Sequence, residues 1–324
     1  MIALLLTEAL SAARYPQTTA EPATAWMRDA WSRFQGHLPY ASVALVIVLV
    51  LLLAIAARLG RSPREGAPPA VGPSRAERFW AFAPYLLLAV AVWPAFQSFR
   101  APEPPPSEPL RVNLVAHQWW WEARYDAHHF ATATDVHVPV GRPVEFVLES
   151  ADVMHSLWIP ALGPRQEVPP LRRRTLTFTP DRVGRFPGQC AELCGSSHAN
   201  MHLNLFVDDA ATFDAWLANQ QAPPVEPRDS VGAGPVWSGK QEFIEHACRG
   251  CHTVRGVTDG PIGPDLTHFA SRTTIAGGMY PRTDSTLAHW LLKANQLKQG
   301  STMPGFPIPA RDLRELITWL QSLK

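Results

Sequence analysis

The sequence predicts a multidomain protein: an N-terminal two-helix transmembrane hairpin, an all-β domain of Greek-key type, and a small all-α domain at the C-terminus. Three observations predict it. Two long apolar runs stand near the start, short alternating segments fill the middle, and helical periodicity follows a Cys-x-x-Cys-His run near the end. A chain of 324 residues also exceeds one ordinary domain. Its net charge is +1, with no basic tract and no aromatic-basic interleaving, so no nucleic-acid partner is expected.

Residues 1–37 read as an N-terminal segment. Its first ten residues are mostly apolar and lead into Ala9-Leu10-Ser11-Ala12, like the small-residue end of a signal peptide, but without a basic n-region. Residues 38–100 read as the hairpin. The runs 38–59 and 79–99 are each apolar for long enough to span a bilayer, and Pro84 and Pro94 are tolerable in a membrane helix. Tyr40, Trp80, Tyr85 and Trp93 suit an interfacial aromatic belt. Arg58, Arg61, Arg64, Arg75 and Arg78 crowd the connection, against only Glu65 and Glu77. Positive residues stay on the cytoplasmic side, so the loop points inward and both flanking regions lie outside.

A stiff proline-rich spacer, 101–109, precedes the domain at 110–220. Within it, 111–118, 136–140, 144–148, 174–178 and 202–207 read as strands, and 210–219 as a closing helix. Residues 221–235 form a second Pro/Gly linker. The remainder, 236–324, is small and helical: Ser238 can cap a helix leading into the Cys-x-x-Cys-His run, and Leu313, Leu316, Ile317 and Leu320 lie at helical spacing near the end.

The four cysteines all fall in two motifs. Two disulfides are the ordinary use of four cysteines in an exported protein. Here both pairs sit in metal or haem spacings instead. Cys190, Cys194, His198 and Met201 offer two thiolates, an imidazole and a thioether from one loop, with His155 upstream. Soft sulfur plus imidazole selects copper. Two cysteines in one loop can bridge two metals, with a histidine at each end and the methionine as a weak axial ligand. A closed site of this kind suits electron transfer better than substrate chemistry. Cys248-Arg249-Gly250-Cys251-His252 is the covalent haem c attachment motif. Cys248 and Cys251 would form thioethers, and His252 would sit beneath the iron. A methionine should complete the iron. Met303, in Met303-Pro304-Gly305-Phe306, is favoured over Met279, which stands too far before the last helix.

These residues resemble a known family. His155 followed by Cys190-x-Glu-x-Cys194-x3-His198-x2-Met201 is similar to the dinuclear copper A domain of cytochrome c oxidase subunit II. The likeness extends to the membrane hairpin, His117-Gln118-Trp119-Trp120-Trp121, Asp152-Val153-Met154-His155-Ser156 and Gly188-Gln189-Cys190. It implies a cupredoxin fold, with Cys190 and Cys194 bridging, His155 and His198 terminal, Met201 axial and the Glu192 backbone carbonyl as a further ligand. The Glu192 side chain would reach a magnesium or manganese ion at the border with subunit I. Trp119 matches the position at which the family receives electrons, which implies an exposed, coupling role. Histidines 117, 128, 129, 137 and 202 are most simply structural. The segment 163–170 departs from the family's Gly-x-Lys-x-Asp pattern, which bears on contacts to subunit I and not on the copper ligands.

The Met303 loop looks like that of a class I cytochrome c, so the whole chain resembles a subunit II with a fused cytochrome c, as in caa-type haem-copper oxidases. The resemblance implies an electron-entry subunit of a respiratory terminal oxidase in a bacterial inner membrane, with its copper and haem domains on the outer face. An external cytochrome or respiratory complex would be the donor. Subunit I, with further oxidase subunits, would reduce oxygen and pump protons. The electron-input subunit of a copper A nitric oxide reductase and a membrane-tethered carrier without a catalytic partner are the alternatives. Lys and Arg number nine against twelve Asp and Glu over 110–220, a balance of −3; over 237–324 they number ten against seven, or +3. Opposite signs favour docking of the two domains.

Overall fold

The computed structural model describes residues 18–19, 21–59, 108–224 and 234–324, with isolated helical positions between 79 and 93. The leader-like stretch, most of the second apolar run and most of both linkers lie outside these residues. The described chain forms two units, one of residues 29–104 and one comprising the rest.

Helix α1 (Ala25–Leu59) starts earlier than residue 38. Thr24 explains the start: its hydroxyl accepts from the Met27 amide at 3.1 Å and donates to the Leu162 carbonyl at 2.9 Å, capping the first turn on the β domain. Arg28 pairs with Asp181 at 2.6 Å. From Leu38 on, the helix is apolar and exposed, with mean hydropathy 2.9 in its best window, long enough to cross a membrane. Among the described residues it is the one helix that meets this test. The second span of the expected hairpin falls largely on residues outside the description.

The β domain has two five-stranded sheets. One orders as β3 (Phe130–Ala133), β2 (Trp120–Tyr125), β1 (Leu110–His117), β5 (Val144–Ser150), β8 (Arg174–Phe178); the other as β4 (Asp135–Pro139), β10 (His202–Asp208), β9 (Gly184–Cys190), β6 (His155–Trp158), β7 (Gln166–Val168). The pairs β1–β5 and β4–β10 are parallel and the others antiparallel. Alternation puts Val112, Leu114, Phe146 and Leu148 from the first sheet against Val136, Leu203 and Leu205 from the second, all fully buried. Helix α2 (Ala210–Gln221) closes the domain, its first turn capped by Asp209 accepting from Thr212 at 2.9 Å.

The C-terminal domain packs α3 (Pro235–Glu245), α4 (Asp284–Leu297) and α5 (Ala310–Ser322) around a second core. Leu313, Leu316, Ile317 and Leu320 are buried, as their spacing predicts. Ser238 does not cap α3. Pro235, which lacks an amide hydrogen and has its φ set by its ring, takes the first helical position, and the Ser238 amide already bonds the Gly234 carbonyl at 3.0 Å. Phe243 of α3 packs against Trp319 of α5, with ring centroids 4.8 Å apart and the planes tilted by 53°.

Candidate metal and haem centres

Three elements bring the sulfur and imidazole groups to one end of the second sheet. β9 ends at Cys190, β6 begins at His155, and the loop from β9 to β10 carries Cys194, His198 and Met201. The loop is closed by the Cys190 amide bonding the Met201 carbonyl at 3.0 Å. The two sulfurs stand 3.8 Å apart, too far for a disulfide. His155 Nδ1 lies 3.8 Å from the Cys190 sulfur, and His198 Nδ1 lies 3.5 Å from the Cys194 sulfur. The Cys190 thiol donates to the Glu192 carbonyl at 3.3 Å, and Met201 is fully buried. The order imidazole, sulfur, sulfur, imidazole, with a carbonyl beside the first sulfur, is a donor set for two soft metals side by side.

Electrostatics distinguish the two cysteines. Burial opposes ionisation of Cys190, but His155 and backbone donors bring its thiol down to about 7. Burial and the neighbouring Cys190 push Cys194 up to about 12. Burial also works against the His155 cation, yet Cys190 and Asp152 raise its pKa.

Asp152 escaped the sequence reading of ligands. Its Oδ1 lies 2.7 Å from His155 Nε2, which turns Nδ1 towards the sulfurs; its Oδ2 accepts from the Gln118 amide at 2.7 Å. An acid three residues before a candidate ligand histidine was the available signal. The Glu192 carboxylate is exposed and lies 3.5 Å from Arg165. Among the described residues no cluster of metal-binding groups includes it.

Trp119 sits at the tip of the β1–β2 hairpin, where His117 pairs with Trp120. Its indole N–H donates to the Cys194 carbonyl at 3.1 Å, and the Gln118 side chain donates to the same carbonyl at 2.7 Å. The expected exposure is not found: Trp119 is 6 % accessible. The C-terminal domain covers it, with Gly300 so close that a Cβ there would stand 2.5 Å from the ring. Of the histidines read as structural, His117 stacks on Trp120 and pairs with Glu122, and His137 pairs with Asp208 between aromatic rings.

A largely apolar cavity in the C-terminal domain is lined by Cys248, Cys251, His252 and Met303, and by Trp119 and Trp120 from the hairpin tip. Met279 does not line it. His252 Nδ1 is 2.9 Å from the Pro264 carbonyl, leaving Nε2 for the cavity. Arg272, buried at the same wall, has its Nε without a partner. The guanidinium donates to the Asp265 carbonyl, and its spare Nε–H beside an apolar slot fits a carboxylate of a haem, as the two thiols and imidazole fit its attachment.

Fold and sites thus define a membrane-anchored redox protein with a soft-metal domain and a c-type cytochrome domain. Comparison with known proteins agrees. The family described as cytochrome c oxidase subunit II, periplasmic domain, matches residues 126–207, and the cytochrome c family matches residues 236–324. Cytochrome c oxidase subunit 2 of Alkalihalophilus pseudofirmus is 34% identical over 312 residues, covering 94% of this chain and 89% of its own. The protein of the same name from Bacillus subtilis is 28% identical over 266 residues, covering 76% and 73%. The crystal structure of the periplasmic domain of cytochrome oxidase subunit II from Bradyrhizobium japonicum aligns at 26% identity and TM-score 0.35, over 36% of this chain and 97% of that one. The chain belongs to the cytochrome c oxidase subunit 2 family, in a form with a fused cytochrome c domain. Copper A and haem c are the cofactors that this membership implies.

Proposed function

We propose that this chain is the electron-entry subunit of a respiratory haem-copper terminal oxidase. One observation carries the reading: Trp119 lines the cavity that holds Cys251 and His252 and also hydrogen-bonds the backbone of Cys194. Electrons from an external cytochrome or respiratory complex enter at the cytochrome domain and leave for haem a of subunit I. There oxygen is reduced and protons are pumped.

In this reading Cys190 and Cys194 would supply thiolates, His155 and His198 imidazoles, Met201 a thioether and Glu192 its backbone carbonyl to hold a copper pair. Cys248 and Cys251 would attach a haem through their sulfurs, and His252 and Met303 would supply ligands to it. When bound, these groups supply one-electron redox chemistry. The protein keeps the copper site shielded and pre-shaped: Cys190, Cys194, Met201 and His155 are all buried.

The exposed apolar face of α1 supports membrane anchoring. The arginine-rich connection after it supports a two-span hairpin with the copper and haem domains outside. The Glu192 carboxylate, exposed beside the copper loop, is the group this chain offers to a magnesium or manganese ion at the subunit I border. Its remaining ligands would come from the partner.

Copper electron paramagnetic resonance of the full chain, assembled with its oxidase partners, tests the assignment. The hyperfine pattern of one electron shared by two equivalent copper nuclei is expected, and Cys190→Ser should abolish it. A single-nucleus pattern in the unaltered protein would overturn the dinuclear site.

A further inference from the structure

Lys298, just past the end of α4, is 3 % exposed. Its ammonium donates to three backbone carbonyls: Trp119 at 2.6 Å, Asn200 at 2.9 Å and Ala276 at 2.7 Å. Trp119 and Asn200 belong to the copper domain, one at the hairpin tip and the other beside Met201. Ala276 belongs to the haem domain. Among the described residues no carboxylate pairs with this lysine. A protonated amine has three donors and no acceptor, so three converging carbonyls match it fully.

Other bonds surround this point. The His202 amide donates to the Gly277 carbonyl at 2.9 Å, and the Ser197 hydroxyl to the Gln299 carbonyl at 2.7 Å. Asp135, 4 % exposed, accepts from the Thr273 amide and hydroxyl at 2.6 and 2.8 Å. Buried side chains bonded across the boundary specify one register, because sliding would break those bonds and leave buried polar atoms short of partners.

We infer that Lys298 is a positioning residue that clamps the haem domain over Trp119, so that the hairpin tip serves the chain's own haem and is closed to a separate donor. The clamp acts through backbone atoms on both sides of the copper loop. It therefore sets where the loop and the cavity stand relative to each other without touching a ligand. Burial pushes the ammonium down to about 7, against the opposing pull of the nearby Cys194 sulfur.

The second readout of the test, though not the first, rests on the electron-entry reading. Lys298→Met in the full, cofactor-loaded oxidase keeps the apolar stem and removes the donors. Hydrogen exchange at the His202 amide, whose bond crosses the interface, should accelerate tenfold or more, while β1–β5 amides keep their protection. Electron equilibration from haem to copper after flash photoreduction should slow. Unchanged His202 exchange in Lys298→Met overturns the clamp. Loss of β1–β5 protection also overturns it, since it would mark Lys298 as part of the general fold. If the unaltered oxidase shows no haem-to-copper equilibration, the electron-entry reading fails, and His202 exchange still decides the clamp.

Discussion

Asp152 governs the copper loop without supplying a ligand. Its carboxylate holds His155 by Nε2 and the hairpin by the Gln118 amide, so one side chain orients a candidate copper ligand and fixes the base of the Trp119 tip. Asp152→Ala should lower copper affinity by about 10–100-fold, as loss of a partner to a ligating histidine does elsewhere. Competition against a chelator measures it, and the haem spectrum should not change. The two thiols give a second expectation. Copper takes thiolates, so binding displaces protons. Cys194 keeps its proton up to about 12 and Cys190 up to about 7. Between those values loading releases the Cys194 proton, and affinity should fall by about tenfold for each unit of falling pH. Below about 7 the Cys190 proton must leave too, so the fall steepens. Calorimetry in buffers of different ionisation enthalpy counts the protons; an affinity flat with pH would contradict the thiol assignment.

At the scale of elements, strands with clean alternation were legible and those carrying the site were not. β1, β5 and β10 follow the period of two, with one face apolar. β9 contains Gly184, Pro187 and Gly188, residues that strands avoid, and is held in place by β10 and β6 instead of by propensity. β2 starts inside a run of tryptophans whose inward and outward members are sorted only by pairing with β1. The short β6 and β7 have too few residues to show a pattern. In the helical domain, α3 and α5 touch at Gly239. A Cβ there would stand 2.0 Å from the Glu315 carbonyl oxygen. Gly239→Ala should force the helices apart and destabilise this domain by about 1–3 kcal/mol. Thermal unfolding followed at the haem absorbance reads the loss, and an unchanged midpoint would refute the close crossing.

For the whole molecule, the charge balance pointed to docking through opposite net charges. The interface is built differently: Asp135, Lys298 and the Ser197 hydroxyl each bond atoms across it, mostly backbone, and the two charged groups are buried. Salt screens exposed charges separated by more than about 10 Å at 0.1 M and affects buried contacts far less. Internal haem-to-copper equilibration in the full oxidase should therefore change little between low and high salt. Reduction of the haem by a separate cytochrome can still depend on it. A steep fall of the internal rate with salt would show that surface charge holds the domains together.

The sequence by itself determined the chemistry. Thiolate, imidazole and thioether are properties of side chains, and the spacings within the 190–201 loop and the 248–252 run are short enough to converge without knowledge of the rest. It also determined the apolar helix, because a run of that length has no other stable solvent. Tertiary structure decided which groups meet across distance: the hairpin tip against Cys194, and Lys298 upon both Trp119 and Asn200. Those contacts depend on backbone carbonyls and strand pairing, which every residue carries alike, so no residue type in the chain announces them.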